Sequence, residues 1–148
     1  MSGHPDGLRI LKKYAPSPSL ELRYFPNGFA ELVPSIDYGI LFLMAFWSGP
    51  SVAAFAKLTQ AMREMQAEDL ELVVIDVDGV PDVYQLPHVK DLYGQAIAAP
   101  TGNGEAAFCQ EGQIIQAAIL GGGRTANQND SHVREFLQVC QRHRKKVP

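Results

Sequence analysis

Residues 40–51 read Ile40-Leu41-Phe42-Leu43-Met44-Ala45-Phe46-Trp47-Ser48-Gly49-Pro50-Ser51. The first seven are continuously apolar, the pattern of a central strand covered on both faces. The run is far too short to cross a bilayer. Beyond Ser51, Val52, Phe55, Leu58, Met62 and Met65 recur at helical spacing, with Lys57, Gln60, Arg63 and Glu64 mostly off that face. Pro50 suits the first turn of a helix, and a serine beside it suits the N-cap. This stretch therefore reads as buried strand, tight turn and amphipathic helix.

Working outward, Leu70 to Asp76 predicts a second buried strand, and Asp78-Gly79-Val80-Pro81-Asp82 a turn. Asp82 or a neighbour can cap a short helix toward Tyr93, which Pro87 must break or kink. Gly94 to Gly104, with Pro100, reads as a loop. Glu105 to Gln110 and Gln113 to Leu120 flank Glu111-Gly112 as a hairpin. After a loop from Gly121 to Asp130, Asp130 or Ser131 can cap a last helix, where Val133, Phe136, Leu137 and Cys140 fall at i, i+3, i+4 and i+7.

Upstream, Leu8 to Tyr14 fits a short helix. Leu20 to Tyr24 and Phe29 to Val33 flank Phe25-Pro26-Asn27-Gly28, an N-terminal β-hairpin signal, with Pro26 and Pro34 marking short or edge strands. Strand–helix–strand followed by a hairpin gives an α/β sandwich with a mixed sheet. The organisation expected is an N-terminal extension over residues 1–19 and one domain over 20–146, its hairpin at 20–34.

The 148 residues are 46% hydrophobic and 20% charged, which suits one globular domain with a real core. A formal net charge of −3 predicts no general affinity for nucleic acid or an anionic membrane. Cys109 and Cys140 have neither metal-type nor CxxC spacing, and no metal or other cofactor is expected. Met1 to Gly7 is polar, without the basic and apolar regions of a secretory signal, so the expected location is cytoplasmic.

Trp47-Ser48-Gly49-Pro50-Ser51, between buried strand and helix, resembles the Trp-Cys-Gly-Pro-Cys active site of thioredoxins. Ile75-Asp76-Val77-Asp78 and the closing hairpin-and-helix pattern are also similar to that family. The resemblance runs from about Tyr38 to Cys140, and it implies a thioredoxin-like three-layer sandwich, a central mixed sheet with helices on both faces. It further implies that Ser48 and Ser51 fill the two redox cysteine positions. In the family the helix N-terminus stabilises the first cysteine as a thiolate. A serine hydroxyl in the same field stays protonated near neutral pH, forms no disulfide and needs a positioned base to attack anything. His88 and His132 are the internal histidine candidates, neither close in sequence.

Two further family features are absent by position. The buried proton-relay carboxylate corresponds to Phe42. The cis-proline facing the turn corresponds to Gly104 in a gapless match, while Pro100-Thr101 has the fitting dipeptide four residues earlier. These losses favour natural decay of the redox site over a two-residue substitution by an experimenter.

The remaining candidates each have an ordinary structural explanation beside a functional one. Trp47 can anchor a partner or pack half-buried. The helix start at Ser48 to Ser51 can bind an anion or simply be capped. Asn103-Gly104-Glu105 can grip an extended peptide or merely lead into a strand. Cys140 and Cys109 read as inert interior thiols. Asp76 and Asp78 read as turn and cap residues, and the Arg142 to Lys146 tail as a solvated end. The expected function is a redox-inactive module holding a protein or peptide through Trp47, Ser48, Gly49, Pro50, Ser51, Asn103, Gly104 and Glu105. The alternatives are a thioredoxin-type thiol–disulfide oxidoreductase in Cys-to-Ser form, and an immunity- or inhibitor-like partner of another enzyme.

Overall fold

The apolar run that opens the sequence reading becomes β2, Tyr38–Met44, the middle strand of a five-stranded sheet. The structure, a computed structural model, describes residues 6–14, 21–25, 33–78, 102, 104–121 and 126–144. Its elements are α1 (Gly7–Tyr14), β1 (Leu22–Phe25), a 3-10 turn (Val33–Ser35), β2, α2 (Gly49–Glu64), β3 (Glu71–Asp76), β4 (Glu105–Gln110), β5 (Gln113–Ile119) and α3 (Ala126–Arg142).

The strand order is β1-β3-β2-β4-β5. On one side β2 pairs in parallel with β3, placing Phe42 beside Val74 and Met44 beside Asp76. On the other it pairs antiparallel with β4, placing Phe42 beside Ala106. With neighbours on both sides and both faces covered, β2 has no position for a solvated side chain, which is why it reads as unbroken apolar sequence.

Alternation divides the sheet between two cores. Ile40, Phe42, Met44, Leu72, Val74, Ala106 and Phe108 face Leu11 of α1, Phe55, Leu58 and Met62 of α2, and Val133, Phe136, Leu137 and Cys140 of α3. Leu41, Leu43, Val73, Ile75, Ala107 and Cys109 make the other face, with Val33 and Ile36 packed on it. Phe42, Phe55 and Phe108 are fully buried, each contributing about 1.5–3 kcal/mol. The Phe42 and Phe55 rings meet edge-on at 5.5 Å and lock α2 to the sheet.

The β4–β5 hairpin turns at Glu111 (φ 54°) and Gly112 (φ 76°), successive left-handed residues that match the twist of a tight hairpin. Their amides donate to Asp37 O and Ile36 O, tying the turn to the start of β2.

Two expectations need revision. Leu22–Phe25 is an edge strand parallel to β3, with Leu22 beside Leu72 and Phe25 beside Ile75. Alternating residues suit a hairpin arm and a parallel edge equally, so the pattern alone did not separate them. Val33 belongs to the 3-10 turn, and residues 26–32 lie outside the described set. Second, α3 begins at Ala126, upstream of the expected caps at Asp130 and Ser131. The α-helices among the described residues lie on one face of the sheet, and the helix expected toward Tyr93 lies outside the described residues. Leu11 is fully buried, so the core draws on the segment read as an extension. Among the described residues no helix is long and apolar enough to cross a membrane.

Candidate functional site

At the C-terminal end of β2 the chain turns through Ala45 to Ser48 and enters α2. Ser48 N–H donates to Ala45 O at 3.0 Å, closing the turn. Ser48 is the N-cap, extended at φ −105° and ψ 120°, and its Oγ accepts the Ser51 N–H at 3.4 Å. Pro50 in the first helical turn has no N–H to leave unsatisfied. The capping explanation thus accounts for this helix start.

The two hydroxyls point inward. Ser48 is 7% exposed and Ser51 fully buried. Ser48 Oγ donates to Gly102 O at 2.5 Å. Ser51 Oγ accepts the Ala45 N–H at 3.0 Å and directs its proton toward Met44 Sδ at 3.5 Å. None of these partners among the described residues is a base of the kind that a serine nucleophile needs. Around them the chain presents an outward ridge: Trp47 is 60% exposed, and Gly49 and Pro50 are exposed beside it.

Facing this turn across the sheet end is Gly102, at φ 68°. A Cβ there would meet Ser48 Cβ at 2.8 Å and Trp47 Cη2 at 3.0 Å. Gly104, also left-handed at φ 76°, sits directly ahead of β4 as the gapless match expects. It packs on α2 instead of on the turn, since a Cβ there would lie 2.5 Å from that of Ala54. The contact with the turn falls two residues earlier.

Five predicted site residues, Trp47 through Ser51, are thus together. Glu105 is 1% exposed, opening β4 between Leu43 and Ile119, so it is no surface carboxylate. The reason is its strand: β4 is flanked on both sides. Asn103, Pro100 and His88 lie outside the described residues. Gly102 is the residue that sequence reasoning missed; its signal was the Gly-Asn-Gly alternation, where two glycines one residue apart mark backbone that side chains would obstruct.

A carboxylate lies close by. Asp76, fully buried at the end of β3, accepts Tyr24 Oη–H at 3.2 Å and the Asp78 N–H at 2.9 Å. Burial, then the Asp76 charge and hydrogen bond, push the Tyr24 phenol well above its ordinary range. The second contact bears out Asp76 as a turn former. Both cysteines are buried and reduced, each thiol pushed up to about 12, chiefly by burial. Among the described residues no group of three or more metal-ligating side chains forms.

A sheet ordered β1-β3-β2-β4-β5, with the β2-to-α2 turn at its open end, aligns with solved structures. One, from work on the thiol-resolving mechanism of yeast mitochondrial 1-Cys peroxiredoxin via glutathione/thioredoxin systems, superposes at TM-score 0.55 and 22% identity, over 80% of this chain and 94% of that one. The fold is thioredoxin-like. Also similar are a mutant thioredoxin from Halobacterium salinarum NRC-1 (TM-score 0.47, 20% identity, 89% and 97% of the two chains) and human ERp44 in a zinc-bound form (TM-score 0.44, 12% identity, 79% and 31%). No family model matches the sequence, and no curated protein matches it.

Within this thioredoxin-like frame, Phe42 sits where the resemblance places a buried carboxylate and is wholly apolar in its surroundings. Ser48 is the N-cap of α2 and Ser51 its third helical residue, the two positions that the resemblance assigns to the redox pair.

Proposed function

We propose that this thioredoxin-like domain is a non-catalytic binding module that holds a protein segment against the ridge of Trp47, Gly49 and Pro50. One observation carries the reading: both hydroxyls of the turn are turned inward and hydrogen-bonded within the fold, while the tryptophan between strand and helix is turned outward. The first half leaves the turn without a free nucleophile. The second leaves an aromatic face in water, the type of residue that most often anchors a protein interface. Phe42 in place of a carboxylate and Gly102 against Ser48 support a surface shaped for something other than electron exchange.

Trp47 is the sole tryptophan of the chain, so its fluorescence reports on this surface alone. Titration with blocked, apolar-centred peptides that lack tryptophan should shift its emission to the blue, and Trp47→Ala should abolish their binding measured by calorimetry. Insulin-disulfide reduction by the wild-type chain should stay at the buffer rate. Turnover above it, abolished by Ser48→Ala, would overturn the reading.

A further inference from the structure

Three large apolar residues are exposed among those described: Trp47 at 60%, Leu8 at 46% and Ile115 at 41%. The first two come from distant parts of the sequence, on segments that pack together in the fold. Gly7 packs against the Tyr24 phenol and the Phe46 ring; a Cβ on it would lie 2.2 Å from Tyr24 Oη and 3.1 Å from Phe46 Cε2. Gly7 precedes Leu8 and Phe46 precedes Trp47. With about 3.8 Å between successive Cα atoms, the two backbones lie within roughly 17 Å, about five residues of extended chain.

The placement of α1 is built in. Leu11 is fully buried against α2 and the sheet, and Thr59 of α2 donates to Tyr14 O at 2.7 Å at the helix's other end. With Leu11 inward, Leu8 and Lys12 share one outward row at i and i+4, and Arg9 and Lys13 form the next. All four are exposed. The helix carries three cations and no carboxylate in a chain whose net charge is −3. Asp6, just ahead of it, pairs with Arg9 at 3.4 Å.

We propose that α1 is the second half of the docking surface, and that its occupant is an extended protein segment with an apolar centre and acidic flanks. The inference rests on the reading of Trp47 as a docking face and adds the chemistry of what docks. The apolar centre lies over Trp47 and Leu8; the carboxylates meet Arg9 and Lys12. Charge complementarity selects this class, since Arg9 and Lys12 flank Leu8 on α1 and would repel a basic segment.

The test uses three blocked peptides sharing one apolar core, flanked by glutamate, glutamine or lysine, titrated into the full chain and followed by Trp47 emission. The glutamate peptide should bind tightest and weaken with salt. Arg9→Glu with Lys12→Glu should weaken it by about tenfold and strengthen the lysine peptide, because two attractions become repulsions. Arg63→Glu, near the far end of α2, should change nothing. If all three peptides bind alike and the double variant binds as wild type does, the role of α1 is refuted while the docking face at Trp47 stands. If no peptide moves the emission, both fall.

Discussion

Gly102→Ala is the sharpest test of how the turn is held. Gly102 sits at φ 68°, where an L-residue other than glycine costs about 1–2 kcal/mol. The added methyl would lie 2.8 Å from Ser48 Cβ and 2.9 Å from Ser48 Oγ, well inside the roughly 3.5–4.0 Å of a carbon–carbon contact. Trp47 can rotate away because it is exposed. Ser48 cannot, since it caps α2 and closes the turn onto Ala45. The Gly102 backbone must therefore retreat and give up the Ser48 hydrogen bond, at a further cost of about 1 kcal/mol.

The expected total is about 2–3 kcal/mol, which for a urea slope of about 1.5–2 kcal/mol per molar lowers the unfolding midpoint by roughly 1–2 M. Gly49→Ala is the paired control: a Cβ there meets nothing within 4 Å at a helical position, so stability should hold or rise by a few tenths of a kcal/mol. Urea titrations followed by circular dichroism measure both, and Trp47 emission reports whether the turn has shifted. A G102A midpoint within about 0.3 M of wild type, a change of roughly 0.5 kcal/mol, would refute the packing of Gly102 on the turn.

Ser51→Ala removes the acceptor of the Ala45 N–H and should cost about 1–3 kcal/mol in thermal or urea unfolding, with no change in oligomeric state. Gln66→Gly should stabilise by about 1 kcal/mol, because Gln66 closes α2 at φ 57° and is exposed. Native Cys109 and Cys140 should resist a thiol reagent at pH 8 and react only on unfolding. Burial raises both thiols from about 9 to about 12, so the folded state holds these protons tighter than the unfolded chain. The stability this gives is complete below pH 9 and drains as pH rises toward 12, by roughly 2 kcal/mol per thiol at about pH 10.5; the raised Tyr24 phenol adds to the loss. Ser48→Cys with Ser51→Cys should lower reduced-state stability by roughly 1–3 kcal/mol in urea unfolding, since sulfur accepts hydrogen bonds poorly.

Much of this fold is legible because its central elements leave little freedom. An unbroken apolar run admits only a strand with neighbours on every side, and β2 has them. The α2 stripe, the Glu-Gly turn and the Ser48 cap are local chemistry and lie where local chemistry puts them. What was not legible depends on partners far away in sequence. Leu22–Phe25 alternates as a hairpin arm would, and the same alternation suits the parallel pairing with β3 that it makes. Glu105 looks like a loop carboxylate until β5 closes the outer side of β4. Gly102 makes the contact with the turn that a gapless count places two residues later, at Gly104.

The turn also explains why serine is a fitting occupant of these two positions. A thiol is a weak acceptor, so in a redox turn the N–H groups of the helix start favour a charged sulfur. Hydroxyl oxygen accepts strongly while neutral. At position 48 it caps an amide of the first helical turn and still donates to Gly102; at position 51 it accepts the buried Ala45 N–H. The turn is thus saturated by neutral hydrogen bonds, each contributing about 1 kcal/mol. With Ser48 held from both sides, the chain at Trp47 has no freedom to fold its indole into the core. The exposure of that ring is then a consequence of the same bonds that remove the nucleophile, so loosening Ser48 should alter what Trp47 offers to a partner without any change at Trp47 itself.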